Sequence, residues 1–291
     1  MRLLLAALAA STLGTAQAGE PLVVSTTWLS QHLNDRKLVL FHIGEKATYD
    51  SAHIPGARYL PFTDLSTPRV DGQLFLELPS RAALDSVLSA RGVSNDSRIV
   101  LYASNSWATP TSRALFTLEY VGMRGRVSIL DGGLDAWRAE GRPVTREVPV
   151  VAATRFVSRP DSSLVVDAGF VSGHLKDAAV RIVDARDTSF YNGRDTRQGR
   201  NGRIPGAVSL PFTTMVDSSG FFRPVQLLRA QFTGAGLTDG QTIVTYCHIG
   251  QQASLVWFAA RLLGYNAKLY DGSFQDWAKR MELPVEGARQ P

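Results

Sequence analysis

Internal repetition constrains this chain more than any other feature. The stretch "VVSTTWLSQHLND" (residues 23–35) aligns with "VVDAGFVSGHLKD" (165–177), and "AHIPGARYLPF" (52–62) with "GRIPGAVSLPF" (202–212). "ILDGGLDAWRAEGRPV" (129–144) returns as "LYDGSFQDWAKRMELPV" (269–285). Three blocks recurring in one order, at offsets of 140 to 150 residues, make the chain two copies of one structural unit. The copies span residues 22–145 and 164–286, with a linker over 146–163.

Within each copy, short apolar runs alternate with helix-periodic segments. "KLVLFHI", "RIVLYA", "VSIL", "VRIVDA", "TIVTYC" and "AKLY" have strand lengths and β-branched content. "PSRAALDSVLSARGV" has Ser80 as a cap, apolar residues at helical spacing and Gly92 as a stop, and "RPVQLLRAQFTGAGL" is its partner. This alternation predicts α/β units, each a parallel sheet with helices on both faces. Ligands of such sheets bind beyond the carboxyl ends of the strands.

Residues 1–18 carry a secretory leader pattern: Arg2 as the positive start, an apolar run from Leu3 to Ala10, and Ala16-Gln17-Ala18 as a cleavage site. The expectation is an exported, periplasmic or secreted chain cut after Ala18. Loss of Arg2 with the leader takes the formal charge from +5 to +4. That mild balance suits small anions, and no block of like charge or basic–aromatic alternation points to nucleic acid. No apolar stretch is long enough for a membrane span, and two packed domains can act as a monomer. No recognisable metal-ligand spacing is present. Cys247 is the only cysteine, which leaves both cores to ordinary hydrophobic packing.

Because the halves are copies, their differences carry information. Tyr246-Cys247-His248 stands where the first copy has Tyr102-Ala103-Ser104, and "VDAR" ending in Arg186 where it has "FHIG" ending in Gly44. The first copy thus lacks both a nucleophile and an anion-binding cation. Cys247 follows a strand and precedes a helix, with "HIGQQA" between. Backbone N–H groups of such a loop converge on an anion at its centre, which would stabilise a thiolate and lower its pKa. Gly250 would permit the tight turn. The other reading is a buried, inert core cysteine.

The tandem halves, the two "IPGA" turns, the "DGG…W" and "DGS…W" blocks and the loop "CHIGQQ" together resemble a two-domain rhodanese-type sulfurtransferase, thiosulfate or 3-mercaptopyruvate sulfurtransferase. The resemblance covers essentially the whole chain after the leader. It implies two tandem rhodanese-like domains, the first inactive and the second carrying the cysteine. It also implies that Cys247 accepts sulfane sulfur as a persulfide from a small anionic donor and passes it to a thiophilic acceptor such as cyanide, with no metal or organic cofactor. Arg186 matches the family's substrate-binding arginine, and a guanidinium suits thiosulfate or a carboxylate. An internal Arg–Asp pair is the competing role for Arg186. "CHIGQQ" has neither the basic loop residues of thiosulfate-preferring members nor the small Gly/Ser pattern of mercaptopyruvate-preferring ones. A sulfane-sulfur carrier without rapid turnover needs the same loop. A rhodanese-related phosphatase does not fit, since its C-x5-R loop would need Arg where Ala253 stands.

Other candidates are weighed by position. His248, Ile249, Gly250, Gln251 and Gln252 form the loop that would contact the donor, mainly through backbone amides, with His248 adding positive charge or a hydrogen bond. Arg194, Arg197, Arg200 and Arg203 lie in a segment eight residues longer than its counterpart. They would form an anion-gathering rim, with Arg194 the one assigned to substrate. Asp131 and Asp271 precede helices and are expected to cap them, and Asp184 to hold its turn. Trp137 and Trp277 read as core aromatics, and His32 and His174 as structural because both copies have them.

Overall fold

The computed structural model describes residues 21–104, 108–197 and 199–287; the leader expected over residues 1–18 lies outside them. Each copy forms a five-stranded sheet whose paired strands all run parallel. The first sheet contains β1 (Val23–Val24), β2 (Leu38–His42), β3 (Arg58–Tyr59), β4 (Arg98–Tyr102) and β5 (Val127–Leu130), in the order β1-β5-β4-β2-β3. The second repeats that order with β6 (Val165–Val166), β7 (Val180–Asp184), β8 (Val208–Ser209), β9 (Thr242–Tyr246) and β10 (Asn266–Tyr270). The helices are α1 (Thr26–His32), α2 (Lys46–Ser51), α3 (Arg81–Ala90), α4 (Ala108–Leu118) and α5 (Gly133–Ala139), then α6 (Ala168–Gly173), α7 (Thr188–Tyr191), α8 (Val225–Gly234), α9 (Gln251–Leu262) and α10 (Ser273–Lys279).

The expected elements form for the expected reasons. The hydroxyl of Ser80 accepts the Ala83 N–H at the start of α3, and Gly92 takes the positive φ of 71° that ends it. Buried β-branched runs on the central strands need helices on both faces. α1 and α5 cover one face of the first sheet, packing Leu29, Leu134 and Trp137 over Leu40 and Val100. α6 and α10 do the same for the second sheet with Val171, Phe274 and Trp277. The opposite faces, carrying α3, α4, α8 and α9, merge into a single core that runs through both copies.

That shared core has an internal near-two-fold. α4 and α9 occupy corresponding places and pack on each other, with Phe116 edge-on to Trp257 at 5.0 Å between ring centroids. The hydroxyls of Ser112 and its counterpart Ser254 meet at 3.0 Å. The segment read as a linker is fastened to the first copy: Thr154 and Phe156 donate to Ser89, and Arg159 and Asp161 to Val121 and Tyr120. Trp137 and Trp277 are fully buried, each donating its indole N–H to a proline carbonyl, Pro143 and Pro284. His32 and His174 stack on Trp28 and Phe170 one turn back and bond their carbonyls, as structural residues do.

Candidate active site

Cys247 sits where β9 ends and the turn into α9 begins, and it is fully buried. The backbone N–H groups of Ile249, Gly250, Gln252 and Ala253 lie around its sulfur and each favours a negative charge there. Gly250 makes the turn possible at φ 83°, and its lack of a side chain is needed a second time. A Cβ there would lie 2.9 Å from the Asp271 carbonyl oxygen and 3.1 Å from Arg113 Nη1. The turn before α10 braces the cysteine from the other side. The Ser273 hydroxyl accepts the Cys247 N–H at 3.2 Å, Phe274 N–H donates to Cys247 O at 3.0 Å, and Gln275 N–H to His248 O at 3.0 Å.

The expected lowering of the thiol pKa does not hold for the resting protein. Burial pushes the Cys247 thiol up, and the amides of Ile249, Ala253, Gln252 and Gly250 pull it back only in part. Sequence shows the loop but not how much water reaches it. The resting group is therefore a protonated thiol inside a cradle of donors. A neutral thiol is a weak acceptor, whereas an anionic sulfur would satisfy several N–H groups at once.

His248 is also corrected. Burial first, then Arg186 and Arg197, lower its pKa to about 3, so it is neutral and brings no positive charge to the loop. Its ring stands edge-on to Phe190 at 4.4 Å, and the Arg197 guanidinium lies 5.9 Å from the Phe190 centroid. Ile249, Gln251 and Gln252 are half-buried along the loop and first turn of α9.

Arg186 follows β7 and is 2% exposed. Its Nε and Nη2 bond Asp184 at 2.9 and 2.5 Å, and Nη2 also bonds the Gly202 carbonyl at 2.8 Å. Tyr246 donates its hydroxyl proton to Asp184 at 2.6 Å and accepts the Ile204 N–H at 3.1 Å. The guanidinium stacks 4.2 Å from the Phe274 centroid. Asp184 thus holds its turn and neutralises Arg186 as well. Arg194 is exposed, and among the described residues no hydrogen bond or ion pair joins its side chain to the Cys247 loop. Arg200 bonds the carbonyls of Arg280 and Leu283, and Arg203 pairs with Glu286. Of the four rim arginines, Arg197 is the one the structure brings beside the site, through Phe190.

Asp131 and Asp271 do not cap helices. Gly132 and Gly272 are the N-cap residues of α5 and α10, with no side-chain cap, and both carboxylates cross to the other copy. Asp131 accepts the Phe222 N–H at 3.0 Å, and Asp271 accepts the Leu78 N–H at 2.8 Å. Asp271 also pairs with Arg113 at 2.5 Å. Residues missed by sequence reasoning therefore include Ser273, Phe190 and Arg113. A comparison of α4 with α9 would have flagged Arg113, whose counterpart is Leu255.

Among the described residues, no group of three or more His, Cys, Asp or Glu is placed to hold a metal ion, and no helix is long and apolar enough to cross a membrane. The family model for the rhodanese-like domain matches residues 25–140 and again 167–280. The chain belongs to the rhodanese family. It is 33% identical over 281 residues to the sulfur carrier protein TtuD of Thermus thermophilus, covering 90% of this chain and 95% of that protein. To the thiosulfate sulfurtransferase of Azotobacter vinelandii it is 31% identical over 274 residues, 92% of this chain and 98% of the other. The fold is shared with the anaerobic ergothioneine biosynthesis enzyme of Chlorobium limicola, with a TM-score of 0.82 at 20% identity over 92% of this chain and 71% of that one.

Proposed function

We propose that this rhodanese-family sulfurtransferase carries sulfane sulfur on Cys247, taking it from thiosulfate and giving it to a thiophilic acceptor such as cyanide. The observation that carries this reading is the convergence of four backbone N–H groups on one buried sulfur, in the copy that has Cys247 where the other has Ala103. Once the Cys247 thiol has given its proton to water, the thiolate attacks the outer sulfur of thiosulfate, the S–S bond breaks, and sulfite leaves with the bonding electrons. The persulfide anion remains in the amide cradle. Cyanide then attacks the outer sulfur, thiocyanate departs, and the thiolate is regenerated, which gives ping-pong kinetics. Arg186 has Nε and Nη2 committed to Asp184 and Gly202, so a donor anion would be met through Nη1. Arg197 and the loop amides would complete the anion site. The leader pattern supports export of the mature chain.

A carrier role with slow turnover is the second reading, favoured by the complete burial of Cys247 and the likeness to a sulfur carrier. Intact mass spectrometry after thiosulfate exposure tests both. Wild type should gain the mass of one sulfur atom and Cys247→Ser none. A gain that persists in the variant, or none in either, sinks the persulfide. Thiocyanate release with cyanide then separates enzyme from carrier, and the same assay with 3-mercaptopyruvate ranks the donors.

A further inference from the structure

Arg113 breaks the near-symmetry of the interface in the direction opposite to Cys247. The two copies exchange one matched contact, Asp131 to the Phe222 amide and Asp271 to the Leu78 amide. Only on the Cys247 side is an arginine added. Arg113 projects from α4 of the thiol-free domain, is fully buried, and pairs with Asp271. Its Nη2 also bonds the Leu76 carbonyl at 2.9 Å.

Leu76 belongs to an arm, residues 67–78, that the first domain lays over the second. The arm is closed on itself by Thr67 N–H to Glu77 O and Leu76 N–H to Thr67 O. Gln275 grips it at Phe75, accepting that residue's N–H and donating to its carbonyl at 2.9 Å. Leu76 is held at φ 59°, a left-handed conformation that costs a residue with a Cβ about 1–2 kcal/mol and persists only where surroundings enforce it. All these contacts converge on the turn that braces Cys247: Asp271 precedes Ser273, Phe274 and Gln275, which bond Cys247 and His248. Arg113 Nη1 and Asp271 lie directly under Gly250, within reach of any Cβ placed there.

We propose that Arg113 is a positioning residue for the Cys247 loop, supplied by the domain that has no thiol. It ties Asp271 and the arm together beneath Gly250, so that the loop amides stay aimed at the sulfur. The thiol-free domain thus forms the floor of the sulfur site. The consequence for catalysis rests on the sulfur-transfer reading above; the structural claim does not.

Backbone hydrogen exchange across residues 247–254 tests it in the full chain. Arg113→Met should speed exchange of the Ile249, Gly250, Gln252 and Ala253 amides by about tenfold or more. It should lower kcat for thiosulfate and cyanide by about 10- to 100-fold with KM moved less than about twofold. Arg113→Lys should recover part of both, since an ammonium can pair with Asp271 but not reach Leu76 with the same fork. Asp131→Ala removes the acceptor of the matched contact on the other side and should leave residues 247–254 protected. Wild-type protection in Arg113→Met, or an equal loss in Asp131→Ala, would overturn the proposal. If Arg113→Met does not fold, the double variant Arg113→Met/Asp271→Asn removes both buried charges. Wild-type exchange and kcat in that chain would likewise overturn it. A wild type that takes no sulfur from thiosulfate would sink the functional reading while leaving the exchange comparison intact.

Discussion

The two copies solve the same packing problem at the end of their central strands with opposite chemistry. In the second, β7 and β9 place Asp184 opposite Tyr246, and with Arg186 these build a buried ionic network beside Cys247. In the first, β2 and β4 place His42 opposite Tyr102, and Gly44 replaces the arginine. His42 is fully buried among Tyr49, Tyr59 and Tyr102, and neither ring nitrogen has a hydrogen-bond partner among the described residues. A Cβ on Gly44 would lie 2.9 Å from His42 Nε2, so a side chain there would displace the imidazole ring. Both charges of the pair are absent together, as a low-dielectric site demands, because either alone would be stranded. The tyrosine hydroxyl that accepts the amide of the "IPGA" isoleucine is kept in both. The scaffold survives without the charges; the anion site does not.

The largest expected effect breaks the comparison at its centre. In a Cys247→Ser background, Ala103→Cys should restore neither sulfur uptake nor thiocyanate formation, since the first copy lacks the Asp184–Arg186 pair. Any one-sulfur mass gain in that double variant would show that the thiol alone makes the site. Next comes the network. Asp184→Ala should cost about 3–5 kcal/mol in urea unfolding, because it leaves Arg186 buried and unpaired. His42→Leu should be near neutral, since it removes two nitrogens that have no partner. Equal losses would mean that the two environments are not different in kind.

The smallest effect is set by pH. Burial, then His53 and Arg138, lower the His42 pKa from 6.5 to about 4. The unfolded chain therefore binds the proton that the folded chain refuses. Stability from this group is complete above the unfolded pKa and falls as pH drops from 6.5 toward 4, by on the order of 3 kcal/mol when fully titrated. His248 adds a loss of the same sign that extends lower, its pKa being about 3. Thermal melting from neutral to acid pH should show the slope, and His42→Leu should flatten its upper part while leaving the His248 part. A slope unchanged by that substitution would refute the assignment.

Much of this was legible because the chain repeats itself. The paired strands, α3 with its Ser80 cap, the tryptophans and the Cys247–Ala103 contrast all follow from local pattern and internal alignment. Asp131 and Asp271 misled because an Asp before a helix has the same local signature whether its carboxylate turns back to the helix or crosses to another domain. The Cys247 pKa could not be read because burial is a property of the assembled chain. Arg186 could be placed at a strand end, but not the degree to which Asp184 occupies it. The arm left no periodic trace, since its bonds are backbone groups meeting partners about 200 residues away.

The meeting of Ser112 and Ser254 across the near-two-fold has a consequence for how such a site can arise. Two separate identical subunits meeting in this way would form an isologous dimer, in which every residue appears on both sides. An arginine at position 113 would then also stand at 255, and a thiol at 247 also at 103. Covalent fusion of the copies removes that obligation. Each half is free to carry what the other must lack, so one supplies the sulfur and the other the ground beneath it.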